Sequence, residues 1–227
     1  MDPVDEVDNR RLSVMSDGME REPLIQPHGG YRKLKSFQIA QLVYDITVRF
    51  VVRYIREGSR TRDQMEKAAR SGAQNIAEGS VFSVTSKKLE MNLTNVARSS
   101  LTELKLDYED FLRQRNMALW PDDDPRRFEL VQRRFTSPDE VARWVKELHE
   151  REHASSNAPA DPAAAGRRDQ AMGELSANAA HVLTGVAIVL INRQLQSQAK
   201  TFEQEGGFSE RLYRVRSEAR VRDKGET

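Results

Sequence analysis

The order of apolar and polar positions along this 227-residue chain is helical wherever it is regular. Between Leu34 and Glu57 one apolar line runs Ile39, Val43, Ile46, Phe50, and a second runs Phe37, Ala40, Tyr44, Val48, Val51, Ile55. Gln38, Gln41, Asp45, Arg49, Arg53 and Arg56 take the remaining face. Two apolar lines are more than one partner helix covers, which predicts burial inside a bundle. Gly58-Ser59 ends this helix. Thr61 and Gln64 stand at capping-box spacing, so a second helix is expected from Arg62, with Gly79 as its left-handed C-terminal residue. A third is expected from Ser86 to near Met117 along Leu89, Leu93, Val96, Ser100, Leu104, Tyr108 and Phe111, closed by Trp120-Pro121.

Beyond Trp120 the pattern loosens. DPRRFELVQRRF reads as a short helix, and Ser137-Pro138-Asp139-Glu140 is a second capping box opening a helix to about Glu150. Ala154 to Gly166 has linker composition. A last long helix is expected from Ser176 through Ile188, Ile191, Leu195, Ala199 and Phe202 to Gly206-Gly207. No stretch alternates with strand period. The fold class expected is all-α: an up-and-down four-helix bundle with helices one to three in 30–119 and the fourth in 176–207. An insertion of short helices and Ala/Pro linker takes 120–175, a basic suffix 208–227, and a disordered acidic tail 1–29.

The second helix is unusual in having little bulk to bury. Met65, Ala69, Gly72, Ile76 and Gly79 form one line, and Gln64, Ala68, Ser71, Asn75 and Glu78 form another beside it. Asp63, Lys67, Arg70 and Gln74 are left for solvent. Small residues on the first line let a neighbouring backbone come close and make each position intolerant of bulk. The polar line is either a wet rim or needs partners, which Arg98, Ser99, Ser100 and Glu103 of the third helix supply.

The run T-R-D-Q-M-x-x-A-A-R-S-x-x-x-N-I-A-E-G-S, Thr61 to Ser80, resembles a family of small four-helix-bundle proteins. That family was first noticed within intervening sequences of large-subunit ribosomal RNA, and it includes the accessory proteins of diversity-generating retroelements. A-R-S-S-L-T-E-L at 97–104 is similar to the family's helix-three signature, and Phe202 to Arg216 to its variant with a C-terminal suffix. The likeness covers Tyr31 to Leu119 and Ala177 to Arg220, and departs from the family in the acidic tail and the segment from Trp120 to Leu175. It implies structural roles for Thr61, Gln64, Met65, Ala69, Arg70, Ser71, Gly72, Asn75, Ile76, Glu78, Gly79, Ser100 and Glu103. It also implies a homo-oligomer, a pentamer in the retroelement members, with no enzymatic activity. The partners implied are a protein such as a reverse transcriptase, and RNA or DNA.

Charge sharpens the nucleic-acid expectation. The chain carries +1 overall, but Tyr31 to Leu119 holds 16 basic and 10 acidic residues, while residues 1–29 hold 3 and 7. Arg49, Arg53, Arg56, Arg60 and Arg62 gather at the first helix and its turn, and Arg211, Arg214, Arg216, Arg220 and Arg222 load the suffix. Such clusters bind phosphate backbones in a salt-dependent way.

Other chemistry finds little footing. Cysteine is absent, which removes disulfides, thiolate metal sites and a cysteine nucleophile. His149-Glu150-Arg151-Glu152-His153 matches the zinc-hydrolase H-E-x-x-H, but charged residues fill the positions that metalloproteases keep apolar, and a linker follows at once. His28 and His181 have no motif around them and read as incidental. No cofactor, metal or catalytic residue is expected. The N-terminus lacks the apolar core of a secretory signal, and the longest apolar stretch, Val182 to Ile191, is short of the ~20 residues a span needs, so the expected location is cytoplasmic, without membrane contact. The expected function is a non-enzymatic oligomeric adaptor. Its rivals are a purely structural self-assembling bundle and, more remotely, the zinc hydrolase.

Overall fold

A computed structural model describes residues 30–153 and 162–225. The expected disordered tail and most of the expected linker lie outside them. The regular elements of the described residues are all helices: a 3-10 turn Tyr31–Lys33, then α1 Lys35–Tyr54, α2 Arg60–Phe82, α3 Lys87–Gln114, α4 Pro125–Arg133, α5 Pro138–His153, α6 Pro162–Glu205 and α7 Phe208–Gly225. The protein is an all-α helical bundle, as the apolar periodicity predicts.

Side-chain pairings fix how the helices run. Ser36 near the start of α1 donates to Gln194 near the end of α6, and Gln198 of α6 reaches Glu90 at the start of α3. Asn178, early in α6, holds the chain just after α3 by accepting from the Trp120 N–H and donating to the Ala118 carbonyl, both at 2.8 Å. α6 is therefore antiparallel to α1 and α3. Ser71 of α2 meets Ser100 of α3, and Gly79 meets Glu90, so those two are antiparallel as well. α1 packs on α2 and α6, and α3 closes the ring between them. The centre is aromatic: Phe50 sits edge-on to Tyr108 and Phe111 at 5.1 and 4.8 Å, and Thr47 bonds the Tyr108 hydroxyl at 2.9 Å.

α4 and α5 form an outer layer on α6. Asp124 caps α4 by accepting from the Arg126 N–H at 2.9 Å. The capping box at α5 is as predicted: Glu140 accepts from the Ser137 N–H at 3.1 Å while Ser137 Oγ accepts from the Glu140 N–H at 3.3 Å. Trp120 and Trp144 pack edge to face at 6.3 Å, both almost wholly buried. This layer explains why α6 is buried without interruption from Ala177 to Thr184, since neighbours cover it on every side. α6 is long and apolar enough to cross a membrane by length and composition alone, and 61% of its most apolar window is buried inside the protein.

Four expectations about element boundaries are corrected. α2 begins at Arg60, because Gly58 turns the chain at φ +74°, and Thr61 is already within the first turn rather than capping it. Gly79 is not a left-handed stop, since the helix runs on to Phe82. α3 ends at Gln114, where Asn116 at φ +54° breaks it, before Trp120-Pro121. α6 begins at Pro162, not near Ser176, which moves 162–175 out of the expected insertion and linker.

The core line of α3 also differs. Glu90, Thr94, Ala97 and Leu101 are buried, while Leu89 and Leu93 are half-buried and Val96 is exposed. Apolar periodicity alone shifts the line onto the α2-side flank, because two positions of the true line are polar. They can be buried because Gln198 donates to Glu90 Oε1 at 3.0 Å and to Thr94 Oγ1 at 3.2 Å.

Candidate functional site

The small-residue line of α2 faces α3. Met65, Ala69, Gly72, Ile76 and Gly79 are all buried. A Cβ on Gly72 would lie 2.5 Å from Leu101 Cδ2, and one on Gly79 would lie 3.1 Å from the Glu90 carbonyl oxygen. At Gly79 the obstacle is backbone, so the absent side chain sets how closely the two helices approach.

The polar line beside it is half in and half out. Asn75 donates to Ser71 Oγ and to the Ser71 carbonyl, both at 2.9 Å, and Ser100 donates to Ser71 Oγ at 3.1 Å. Ser71, Asn75 and Ser100 are therefore brought together across the α2–α3 groove, while Thr61, Gln64, Arg70, Glu78, Ser99 and Glu103 stay exposed. Arg98 turns the other way, toward Asn95 and toward Asn192 of α6. Burial, with Glu103 and then Asp110 adding repulsion, pushes the Asp107 carboxyl up to about 6, and Asp107 Oδ2 is buried with no hydrogen-bond partner among the described residues. Phe82 of α2 and Val96 of α3 stand 41% and 46% exposed.

The arginines do not form one surface. Arg49 pairs with Asp139 of α5 at 2.6 Å, Arg53 with Asp169 of α6 at 3.3 Å, and Arg62 with Glu66 at 3.4 Å. Arg56 and Arg60 are exposed. In α7, Arg214, Arg216 and Arg220 are exposed, whereas Arg211 is buried and so is withdrawn from the expected phosphate-binding set. The Arg222 side chain lies outside the described set. Tyr213 and Val221 stand beside the exposed arginines, 77% and 73% exposed themselves.

No family model, curated protein or solved structure matches this chain.

Sequence reasoning missed several buried polar contacts. His181 is not incidental: it is buried, and its Nε2 lies 2.8 Å from Glu109 Oε1, joining α6 to α3. Burial holds its pKa below the ordinary histidine value despite the opposing pull of Glu109. Glu90 and Thr94 could have been found, because they continue the spacing of Ala97, Leu101 and Leu104 back to the start of α3. Of the H-E-x-x-H residues, His149 is buried, Glu150 is exposed and 3.8 Å from Lys146, and the His153 side chain lies outside the described set. Among the described residues no group of three or more His, Cys, Asp or Glu is gathered as a metal site.

Proposed function

We propose that the protein is a non-enzymatic, oligomeric adaptor whose outer helical faces bind a protein partner, with α7 as the principal contact. The carrying observation is α7 itself, which presents Tyr213 and Val221 to solvent among Arg214, Arg216 and Arg220. Tyr and Arg are the residues that most often anchor protein interfaces. Phe82 of α2 and Val96 of α3 offer further exposed apolar side chains suited to another copy of the chain. The likeness of Thr61 to Ser80 to the retroelement accessory proteins supports oligomerisation, with a pentamer as the specific form and a reverse transcriptase as the partner class. A cytoplasmic location accompanies this reading.

RNA or DNA is the second partner class, favoured by the exposed arginines of α7 together with Arg56 and Arg60. Arg49 and Arg53 contribute less, because carboxylates already engage them.

Light scattering on the full chain tests assembly, with a mass of several chains expected. A mass of one chain at all concentrations rejects the oligomer. Titration with labelled RNA and DNA at two salt concentrations tests the second reading, with binding that weakens steeply as salt rises and is reduced by Arg216→Gln with Arg220→Gln. Binding indifferent to salt and to those changes rejects it.

A further inference from the structure

A cavity of about 560 Å³ opens between α1, α5 and α6, away from the α2–α3 groove, and falls within the ~300–1,000 Å³ of small-molecule sites. Its floor is core side chain: Ile46, Phe50, Val141 and Val145 are buried, and Tyr54 and Met172 complete the wall. Among the described residues, Arg49, Arg53, Lys146 and Arg168 line it with one carboxylate, Asp169. Arg53, Tyr54 and Asp169 also line a second cavity of about 410 Å³, reaching Phe111, Arg115 and Gly173. The Arg53–Asp169 pair thus stands between two adjoining spaces, with the Arg53 guanidinium 5.3 Å from the centre of the Tyr54 ring.

We infer that this cavity binds a single-chain amphiphile with an anionic head, of which a medium-chain carboxylate is the simplest form. The lining is mainly apolar, with Ser176 and Tyr54 the only hydroxyl-bearing side chains among the described residues, so the body of the ligand must be apolar. The cations lie on exposed side chains, so the charged end faces outward; Asp139 engages Arg49, Glu150 lies 3.8 Å from Lys146 and Asp169 engages Arg53, so Arg168 tips the balance toward an anion. The head engages Arg53 and Arg168. Asp169 is displaced easily, since its bond to Arg53 is 3.3 Å long with both side chains 60% exposed.

Calorimetric titration of the full chain with dodecanoate below its micelle concentration tests this, with acetate and dodecanol as head-only and neutral-head controls. One saturable dodecanoate site per chain is expected, with acetate not bound. Ala142 lines the cavity yet is exposed, so Ala142→Trp fills it without entering the core and abolishes binding. Arg53→Gln with Arg168→Gln, both on exposed positions, weakens dodecanoate about tenfold or more, the scale of a lost charged hydrogen bond, and leaves dodecanol unchanged. Thermal unfolding verifies that each variant is folded. Absence of saturable binding to the folded wild-type chain overturns the inference. So does wild-type affinity in the double variant, or a cleft closed by a second copy, seen as self-association that Ala142→Trp disrupts while dodecanoate has no effect.

Discussion

The α2–α3 seam and the α4–α5 layer solve the same packing problem by opposite means. In the seam, side chains are removed: Gly72 and Gly79 let α3 come within reach of the α2 backbone. In the outer layer, side chains are enlarged and tethered. Trp120 and Trp144 fill the space, and Glu129 gathers the Trp144 indole N–H at 2.8 Å with Arg151 and Arg133 at 3.0 and 3.1 Å. These donors hold the Glu129 carboxyl below its ordinary pKa, the Trp144 bond being the foremost. Asp124 is likewise held down, chiefly by Arg126, which also reaches Glu152. A seam of absent atoms tolerates loss and resists gain, whereas a layer of large atoms does the reverse.

That asymmetry can be broken from either side. Trp144→Ala should have the largest effect, about 3–5 kcal/mol by chemical denaturation, because it empties the layer and removes the foremost donor to Glu129. A loss under about 1 kcal/mol would mean the layer contributes little to the cooperative fold. Gly79→Ala should cost about 1–3 kcal/mol by the same measurement, since the obstacle at 3.1 Å is backbone. An unchanged midpoint would show that the seam has slack. The same substitution at Gly166, where nothing lies within 4 Å of an added methyl carbon, should be neutral or slightly stabilising.

Asp107→Asn sharpens the comparison from within α3 itself. The folded carboxyl titrates at about 6, above its ordinary 3.8, so its charge opposes folding at neutral pH and ceases to do so in acid. The variant should gain ~1 kcal/mol at pH 7, after allowance for solvent screening, and the gain should vanish as pH falls from about 6 to about 4. A gain that persists in acid would assign it to something other than charge. Arg49→Gln should have the smallest effect, under about 1 kcal/mol, because Arg49 and Asp139 are 52% and 72% exposed.

The helical lines of α1 and α2 are legible in the sequence because their faces divide cleanly into apolar, small and charged. The capping box at Ser137 is legible for the same local reason. Thr61 misleads because Gly58 turns the chain one step earlier, and Gly79 because a glycine needed for closeness has the same letter as one needed for a turn. The course of α3 is obscured by Glu90 and Thr94, whose burial depends on Gln198, 108 and 104 residues away. Contacts at that separation leave no periodic trace. The α2–α3 groove is visible as a polar line, but the cavity beneath α5 is not, since α1, α5 and α6 each contribute only ordinary apolar and basic residues to it.

Asn178 and Gln198 lie on one helix, twenty residues apart by their numbers and so about 30 Å along its axis. Each is matched to partners on the neighbouring chain segment: the Trp120 amide and Ala118 carbonyl at one end, the Glu90 carboxylate and Thr94 hydroxyl at the other. A slip of α6 by one turn would orphan both at once, so the longest rod in the molecule is pinned like a beam on two bolts. Beyond Gln198 the same rod runs on to Glu205, and α7 follows from it after Gly206-Gly207.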